Sequence, residues 1–336
     1  MGDRDILIDR YKQFLTAYLS GRTEQALYRA QQFSRKMLEQ NISPEEVINM
    51  HSTVLQTING GIPEEIRDSF DFLIEVMMGY GMAYREHQIL RDKQKALESE
   101  IEVAASMQQT LLQGDIPVTD KLDIGVISKA AKQMSGDYFH FVQNRPESIN
   151  VAVADIIGKG VPAALCMSMI KYAMDSLPEQ ENHPSMVLEN LNRVVEQNVD
   201  PAMFITMFYG NYNTDIHRFH YAGAGHEPGF YYDAKNDNFE EFMAKGLVLG
   251  VSKTTQYQAF DKDIEEGDMI LLLSDGVTEC RTSKGFISRE EIVTLIRSYM
   301  HLNAQEIVEN VYSDLEQLQD FELRDDFTLI ILRRSV

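Results

Sequence analysis

The chain has 336 residues, of which 44% are hydrophobic and 25% charged, a composition that excludes wholesale disorder. Its 31 Lys and Arg against 52 Asp and Glu give a net charge of −21, which argues against nucleic-acid binding because no basic surface could neutralise phosphates. Only two cysteines, a charged start and no apolar run of membrane-spanning length predict a cytoplasmic protein that binds no membrane.

Residues 1–84 predict an all-α four-helix bundle. Apolar residues recur at three- and four-residue steps in four segments joined by short loops. The third helix has a capping box and an early proline in the sequence SPEE at 43–46, Gly60-Gly61 ends it, and Pro63 opens the fourth. The bundle carries no catalytic motif. It is either a structural support or a docking domain with an adaptable methionine-rich surface.

Residues 85–116 predict a linker helix that forms a weak coiled coil. Leucine or alanine recurs every seventh residue, but two of the companion positions, Gln94 and Gln108, are polar. Such a helix either packs on its own domain or joins two copies of the chain in alternative arrangements. We favour the second interpretation and therefore expect a homodimer.

Residues 117–336 predict antiparallel sheets with helices on the outside, because most strands follow one another through short turns. The predicted helices are 162–176, 184–198, 288–298 and 304–318. The predicted strands are 124–128, 149–154, 203–210, 219–223, 229–232, 246–249, 257–260, 269–274 and 327–332.

Several aspartates lie at the ends of these predicted strands: Asp137, Asp155, Asp275 and the pair Asp325-Asp326. A carboxylate at the end of a buried strand is costly to desolvate unless a positive group meets it, and hard divalent cations prefer such oxygen ligands. Singly, each motif has a simpler explanation as a turn or a solvated strand entry. The loop GKG at 158–160 is either an ordinary helix start or an anion cradle. Together the aspartates suggest a metal-dependent phosphoesterase.

The same segments resemble the metal-dependent PPM-type serine/threonine phosphatases, in particular their SpoIIE-like branch. The matching motifs, in family order, are SGDYF at 135–139, DIIGKGVPAA at 155–164, AGAGHEP at 222–228, SDGVTE at 274–279 and DDFT at 325–328. The resemblance implies an α-β-β-α sandwich at 117–336, and an α+β chain overall, with two Mn²⁺ or Mg²⁺ ions as cofactors.

By this resemblance, Asp155 bridges both ions and acts with a metal-bound hydroxide, and the backbone carbonyl of Ile156 is a further ligand. Asp275 and Asp325 complete the coordination of one ion and Asp137 binds the other, while Asp326 is a neighbour of the site rather than a ligand. Gly158 and Gly160 would bind phosphate. The chain departs from the family pattern at Ser135 and His140, where Gly and Asp are common. His140 and His226 are each either a catalytic or a packing residue.

The resemblance implies a protein serine phosphatase acting on a phosphorylated anti-anti-sigma protein (RsbV-like), and so a positive regulator of the sigma-B stress response. It also implies that the N-terminal bundle dimerises and binds an RsbT-like kinase or switch protein that activates the enzyme. Two alternatives stay open: a phosphatase of the same class with another phosphoprotein substrate, and a non-catalytic module that only binds partners.

Overall fold

The protein is described here by a computed structural model, which covers residues 3–40, 42–112, 114–145, 147–158, 160–177, 183–200, 203–282, 285–319, 321 and 323–335. Two compact units divide the chain, Met1–Glu98 and Ser99–Val336. Within the described residues, none of the helices combines the length and the apolarity needed to cross a lipid bilayer.

The first unit is helical, as the apolar periodicity predicts. Ser43 caps the third helix, since its hydroxyl accepts the Glu46 N–H at 3.4 Å, and Gly60 ends this helix in the left-handed conformation with φ 68°. The helices are α1 (Asp3–Gly21), α2 (Glu24–Glu39), α3 (Pro44–Asn59) and α4 (Glu64–Leu112).

Helix α4 runs on through the predicted boundary at residues 84 and 85. The fourth bundle helix and the predicted linker helix are thus one helix of 49 residues, and the division between the units falls inside it, after Glu98. Gly79 and Gly81 do not break this helix. The limits of 1–84, 85–116 and 117–336 stay predictions.

The second unit contains two five-stranded sheets in which every paired strand is antiparallel. Their orders are β1-β12-β9-β6-β7 and β2-β3-β4-β5-β8, and a small hairpin pairs β10 with β11. The strands are β1 (Leu122–Lys129), β2 (Asp137–Arg145), β3 (Ser148–Ile156), β4 (Ile205–Asn213), β5 (Arg218–Ala224), β6 (Gly229–Asp233), β7 (Asn238–Phe242), β8 (Ala259–Asp263), β9 (Met269–Leu273), β10 (Arg281–Thr282), β11 (Gly285–Phe286) and β12 (Phe327–Arg334).

Helices cover the outer faces of both sheets, so the layers are α-β-β-α. These helices are α5 (Val161–Asp175), α6 (Pro184–Asn198), α7 (Asp275–Thr278), α8 (Arg289–Tyr299) and α9 (Ala304–Leu318). Successive residues of β3 alternate between two cores: Val151 and Val153 face the other sheet, whereas Ala152 and Ala154 face α5 and α6. A third core joins α8 and α9 to the sheet of β9 and β12. The predicted sandwich is confirmed.

Some strand predictions were wrong. Residues 246–249 form no strand; only Leu249 makes an isolated bridge, to Ile205, because the left-handed Gly250 turns the chain away. Strand β2 was missed because its polar residues hide the alternation of its buried ones, and β7 because it is a mostly exposed edge strand.

Candidate active site

The edge pair β2 and β3 places two of the predicted ligands opposite each other. Asp137 begins β2 and Asp155 lies near the end of β3, and the antiparallel register makes them direct partners. The Ile156 N–H donates to the Gly136 carbonyl at 3.1 Å, which ties the loop before Asp137 to the end of β3. A Cβ on Gly136 would lie 3.3 Å from the Ile156 carbonyl oxygen, so this oxygen faces the same loop.

The second sheet contributes Asp275 and Asp325 at the ends of its neighbouring strands. Asp275 follows β9 and opens α7, while Asp325 precedes β12, the strand that pairs with β9. Gly276 packs directly on this junction, since a Cβ there would lie 2.0 Å from the Asp326 carbonyl oxygen. Burial raises the pKa of Asp275, and the charge of Asp325 raises it further.

Asp326 connects the two sheets through its side chain. Its Oδ1 accepts the Ala131 N–H at 2.7 Å and its Oδ2 accepts the Gly136 N–H at 2.5 Å. Both carboxylate oxygens are therefore engaged with the loop that leads to Asp137. This supports the interpretation of Asp326 as a neighbour that shapes the site. Sequence alone did not reveal these bonds, because their partners are 190 or more residues away along the chain.

Burial raises the pKa of Asp137 well above its ordinary value, and the nearby charges of Asp155 and Asp326 raise it further. Hydrogen bonding from Ser274 and Thr328 opposes this effect. Of the two carboxylate oxygens of Asp137, Oδ2 is buried and has no hydrogen-bond partner among the described residues. A buried oxygen of this kind among other carboxylates is what a cation would satisfy.

The aspartates share one end of the sandwich but do not form a closed ligand cluster. Among the described residues, no three His, Cys, Asp or Glu side chains lie close enough together to hold a metal ion. The structure pairs Asp137 with Asp155 and sets Asp275 beside Asp325. The all-oxygen donor set and the orphaned oxygen of Asp137 nevertheless fit a hard divalent cation.

The predicted phosphate-binding loop leads into α5. Gly158 and Gly160 both adopt positive φ, 110° and 81°, and Gly160 is the N-cap of the helix without a side-chain capping bond. The first N–H groups of α5 therefore point out of the helix end close to Asp155 along the chain. Lys159, between the two glycines, lies outside the described residues.

His140 is buried and contacts the end of α5. Its Nε2 lies 2.9 Å from Oδ1 of Asp175 at the end of α5, and the other oxygen of Asp175 accepts from Lys171 at 2.6 Å. Burial lowers the pKa of His140, and Asp175 opposes the shift. These contacts favour the packing role that the sequence left open.

Gln108 makes a contact that the heptad spacing did not suggest. Its buried amide donates to the Ser135 carbonyl at 3.0 Å and lies 3.0 Å from the sulfur of Met167 in α5. Within the second unit, the last turns of α4 thus touch the loop that carries Asp137. A cavity of about 540 Å³ lies between them, with Glu102, Gln109 and Asp137 in its wall.

Comparison with known proteins gives matches over nearly the whole chain. Residues 145–335 match the family described as Stage II sporulation protein E (SpoIIE), and residues 9–83 match the family described as Phosphoserine phosphatase RsbU, N-terminal domain. The chain is 60% identical over 336 residues to Phosphoserine phosphatase RsbU of Bacillus subtilis (strain 168), covering 100% of both chains.

Two solved structures show the same fold at low sequence identity. The SiaA-PP2C domain of Pseudomonas aeruginosa superposes with a TM-score of 0.63 at 18% identity, over 72% of this chain and 99% of that one. RsbX in complex with magnesium superposes with a TM-score of 0.50 at 17% identity, over 66% of this chain and 99% of that one. The sandwich is therefore a PP2C-like fold.

Proposed function

The chain belongs to the family of the phosphoserine phosphatase RsbU, and on this premise we propose that it is a metal-dependent protein serine phosphatase. Its substrate is a phosphorylated anti-anti-sigma protein, RsbV-like, whose dephosphorylation promotes the sigma-B stress response. The observation that carries this proposal is the pairing of Asp137 with Asp155, in which one buried carboxylate oxygen of Asp137 has no hydrogen-bond partner within the described part of the chain. The two unpaired cysteines suit a cytoplasmic location.

The proposed ligands come from both sheets. Two ions, Mn²⁺ or Mg²⁺, would be held by Asp155 and the Ile156 carbonyl, together with Asp275 and Asp325 for one ion and Asp137 for the other. The structure of RsbX with magnesium supports this choice of metal by analogy. When bound, such ions supply Lewis-acid chemistry, in that they activate water and neutralise the charge of a phosphoryl group.

The chain's own residues bind and orient the substrate rather than attack it. Both cysteines, Cys166 and Cys280, are buried, and burial raises the pKa of each thiol, so neither is a nucleophile at neutral pH. The backbone N–H groups of Gly158 and Gly160 and the first turn of α5 orient the phosphate. Asp326 keeps the loop before Asp137 in place through its two backbone hydrogen bonds.

The helical unit is proposed to form a homodimer and to bind an RsbT-like activator. Helix α4 presents a row of exposed large apolar side chains at four-residue spacing, a pattern typical of protein contact surfaces. They are Phe72, Val76, Tyr80 and Tyr84, with exposed fractions of 50% to 73%. The Tyr80 and Tyr84 rings are stacked, with their centroids 6.3 Å apart.

Activation is proposed to reach the site through the end of α4. Gln108 contacts the Ser135 carbonyl, two residues before Asp137, and also Met167 of α5. A shift of α4 would therefore move the Asp137 loop and α5 together. Partner binding would in this way change the apparent metal affinity or the geometry of the ligands.

The test is phosphate release from a phosphorylated RsbV-like protein, measured over a Mn²⁺ titration with and without the RsbT-like partner. We expect Asp155→Asn to lower turnover on the order of 100-fold or more, since it removes a ligand rather than a supporting group. Asp263→Asn is the matched control, because it removes the same charge at the opposite end of the same sheet, where Asp263 pairs with Arg218.

Each alternative has its own outcome. Unchanged turnover in Asp155→Asn would refute the enzyme assignment and favour a binding module. Turnover of other phosphoproteins in preference to the RsbV-like protein would keep the chemistry and change the substrate. Identical Mn²⁺ curves with and without partner would refute coupling through the metal site.

A further inference from the structure

His226 is buried at the end of its sheet that carries Asp155. It follows β5, and the left-handed Gly225 before it, with φ 67°, forms a bridge to Met207 of β4. After it, the Glu227 carboxylate accepts from Arg289 at 3.0 Å, and Arg289 also donates to the Pro228 carbonyl. The backbone is thus anchored on both sides of His226.

One side of the His226 ring contacts the strand that pairs with Asp155. Its Nδ1 is 2.9 Å from the Thr206 hydroxyl, and Thr206 is the direct partner of Asp155 in the register of β3 and β4. A hydrogen bond at this position fixes the strand segment alongside Asp155.

Burial of the His226 ring lowers its pKa to about 4, so the ring is neutral at pH 7 and has one N–H. Among the described residues, its Nε2 has no hydrogen-bond partner, and the Thr206 hydroxyl is the partner of the ring.

We propose that His226 is a positioning residue that holds Thr206 and, through it, the strand end carrying Asp155. Its task is to keep Asp155 in a constant position within the metal-binding set, because Thr206 lies directly opposite Asp155 in the sheet. This inference rests on the proposed metal ligands and adds a residue that the proposed function does not use.

The experiment measures Mn²⁺ binding to the full chain by titration calorimetry, without substrate, for Thr206→Val, His226→Asn and the double variant. We expect each single variant to weaken Mn²⁺ binding about 10- to 100-fold, the usual cost of losing a group that orients metal ligands. The double variant should bind no more weakly than the weaker single variant, because both changes remove the same hydrogen bond. His220→Asn is the control, since His220 lies in β5, the strand that precedes His226, but pairs with Asp261.

A spectroscopic readout separates positioning from mere structural support. The ring ¹⁵N shifts of His226 should report a neutral ring in the wild type and change in Thr206→Val while the rest of the spectrum is preserved. Mn²⁺ affinity equal to wild type in Thr206→Val would overturn the inference, and this holds even if His226→Asn does not fold.

Failure of the proposed function gives different results. A wild-type chain that binds no Mn²⁺ overturns the ligand set and this inference together. A wild-type chain that binds Mn²⁺ but releases no phosphate overturns the enzyme alone, and the variants still decide the role of His226.

Discussion

The two units of the chain differ in how completely they bury their apolar side chains. In the sandwich, three clusters enclose large residues completely, including Phe219, Ile205 and Leu271. In the described part of the helical unit, the buried apolar residues are only Ala26, Phe33, Met37, Met50 and Val54, while α4 exposes a row of large ones. A closed core suits a site whose ligands come from different sheets, whereas an open apolar face suits partner binding.

A glycine from each unit gives the largest expected contrast. In the sandwich, Gly276→Ala would force a Cβ to within 2.0 Å of the Asp326 carbonyl oxygen, a backbone atom that cannot move without shifting Asp325. We expect destabilisation of about 1–3 kcal/mol and a loss of turnover of about 100-fold. Denaturant unfolding and Mn²⁺-dependent phosphate release measure the two effects.

Gly79→Ala is the counterpart in α4. Apart from the backbone of its own helix and its chain neighbours, no described residue has an atom within 4 Å of the added Cβ, so the helix should gain about 1 kcal/mol with turnover unchanged. If the two substitutions changed stability and turnover equally, the contrast between the two units would be contradicted, because backbone propensity alone would then explain both results.

The sandwich should also lose stability in acid through His226. Its folded pKa of about 4 lies below its ordinary value of 6.5, so the unfolded chain binds the proton more readily at intermediate pH. The stability due to this group is fully present above pH 6.5 and is lost as the pH falls toward 4. Between pH 7 and pH 5 the wild type should lose about 2 kcal/mol more than His226→Asn, measured by denaturant unfolding in EDTA. Parallel pH curves for the two proteins would contradict this.

The sequence predicted the layers of the sandwich because local signals suffice for them. Strand β3 contains a continuous apolar run because both of its faces are buried. The helices that begin after Ser43 and Ser288 are capped by these serines, so residues close in sequence show where the helices begin. The strand at 246–249 was wrong because hydrophobicity alone does not show where a glycine turns the chain.

The same distinction between local and long-range signals applies to the candidate site. Asp155 and Asp275 could be predicted from the sequence because each lies at the end of a buried strand. The hydrogen bonds of Asp326 and Gln108 could not, because they depend on which distant loop packs against them. The heptad spacing assigned Gln108 to a helix–helix seam, whereas its amide binds a carbonyl within its own unit. The ligand roles of the aspartates stay predictions.

The smallest effect on the isolated chemistry is expected from the exposed face of the helical unit. Phe72 is 73% exposed, so Phe72→Lys removes no buried contact within the chain and should leave basal phosphate release unchanged. The added charge would be buried in a dimer or against the activator, which is costly. We therefore expect a lower mass in light scattering and weaker stimulation by the RsbT-like partner. Lys36→Ala, a change on another helix of the same unit, is the control. Full stimulation and an unchanged mass for Phe72→Lys would show that this face of α4 is not the contact surface, and the contrast between the units would then concern stability alone.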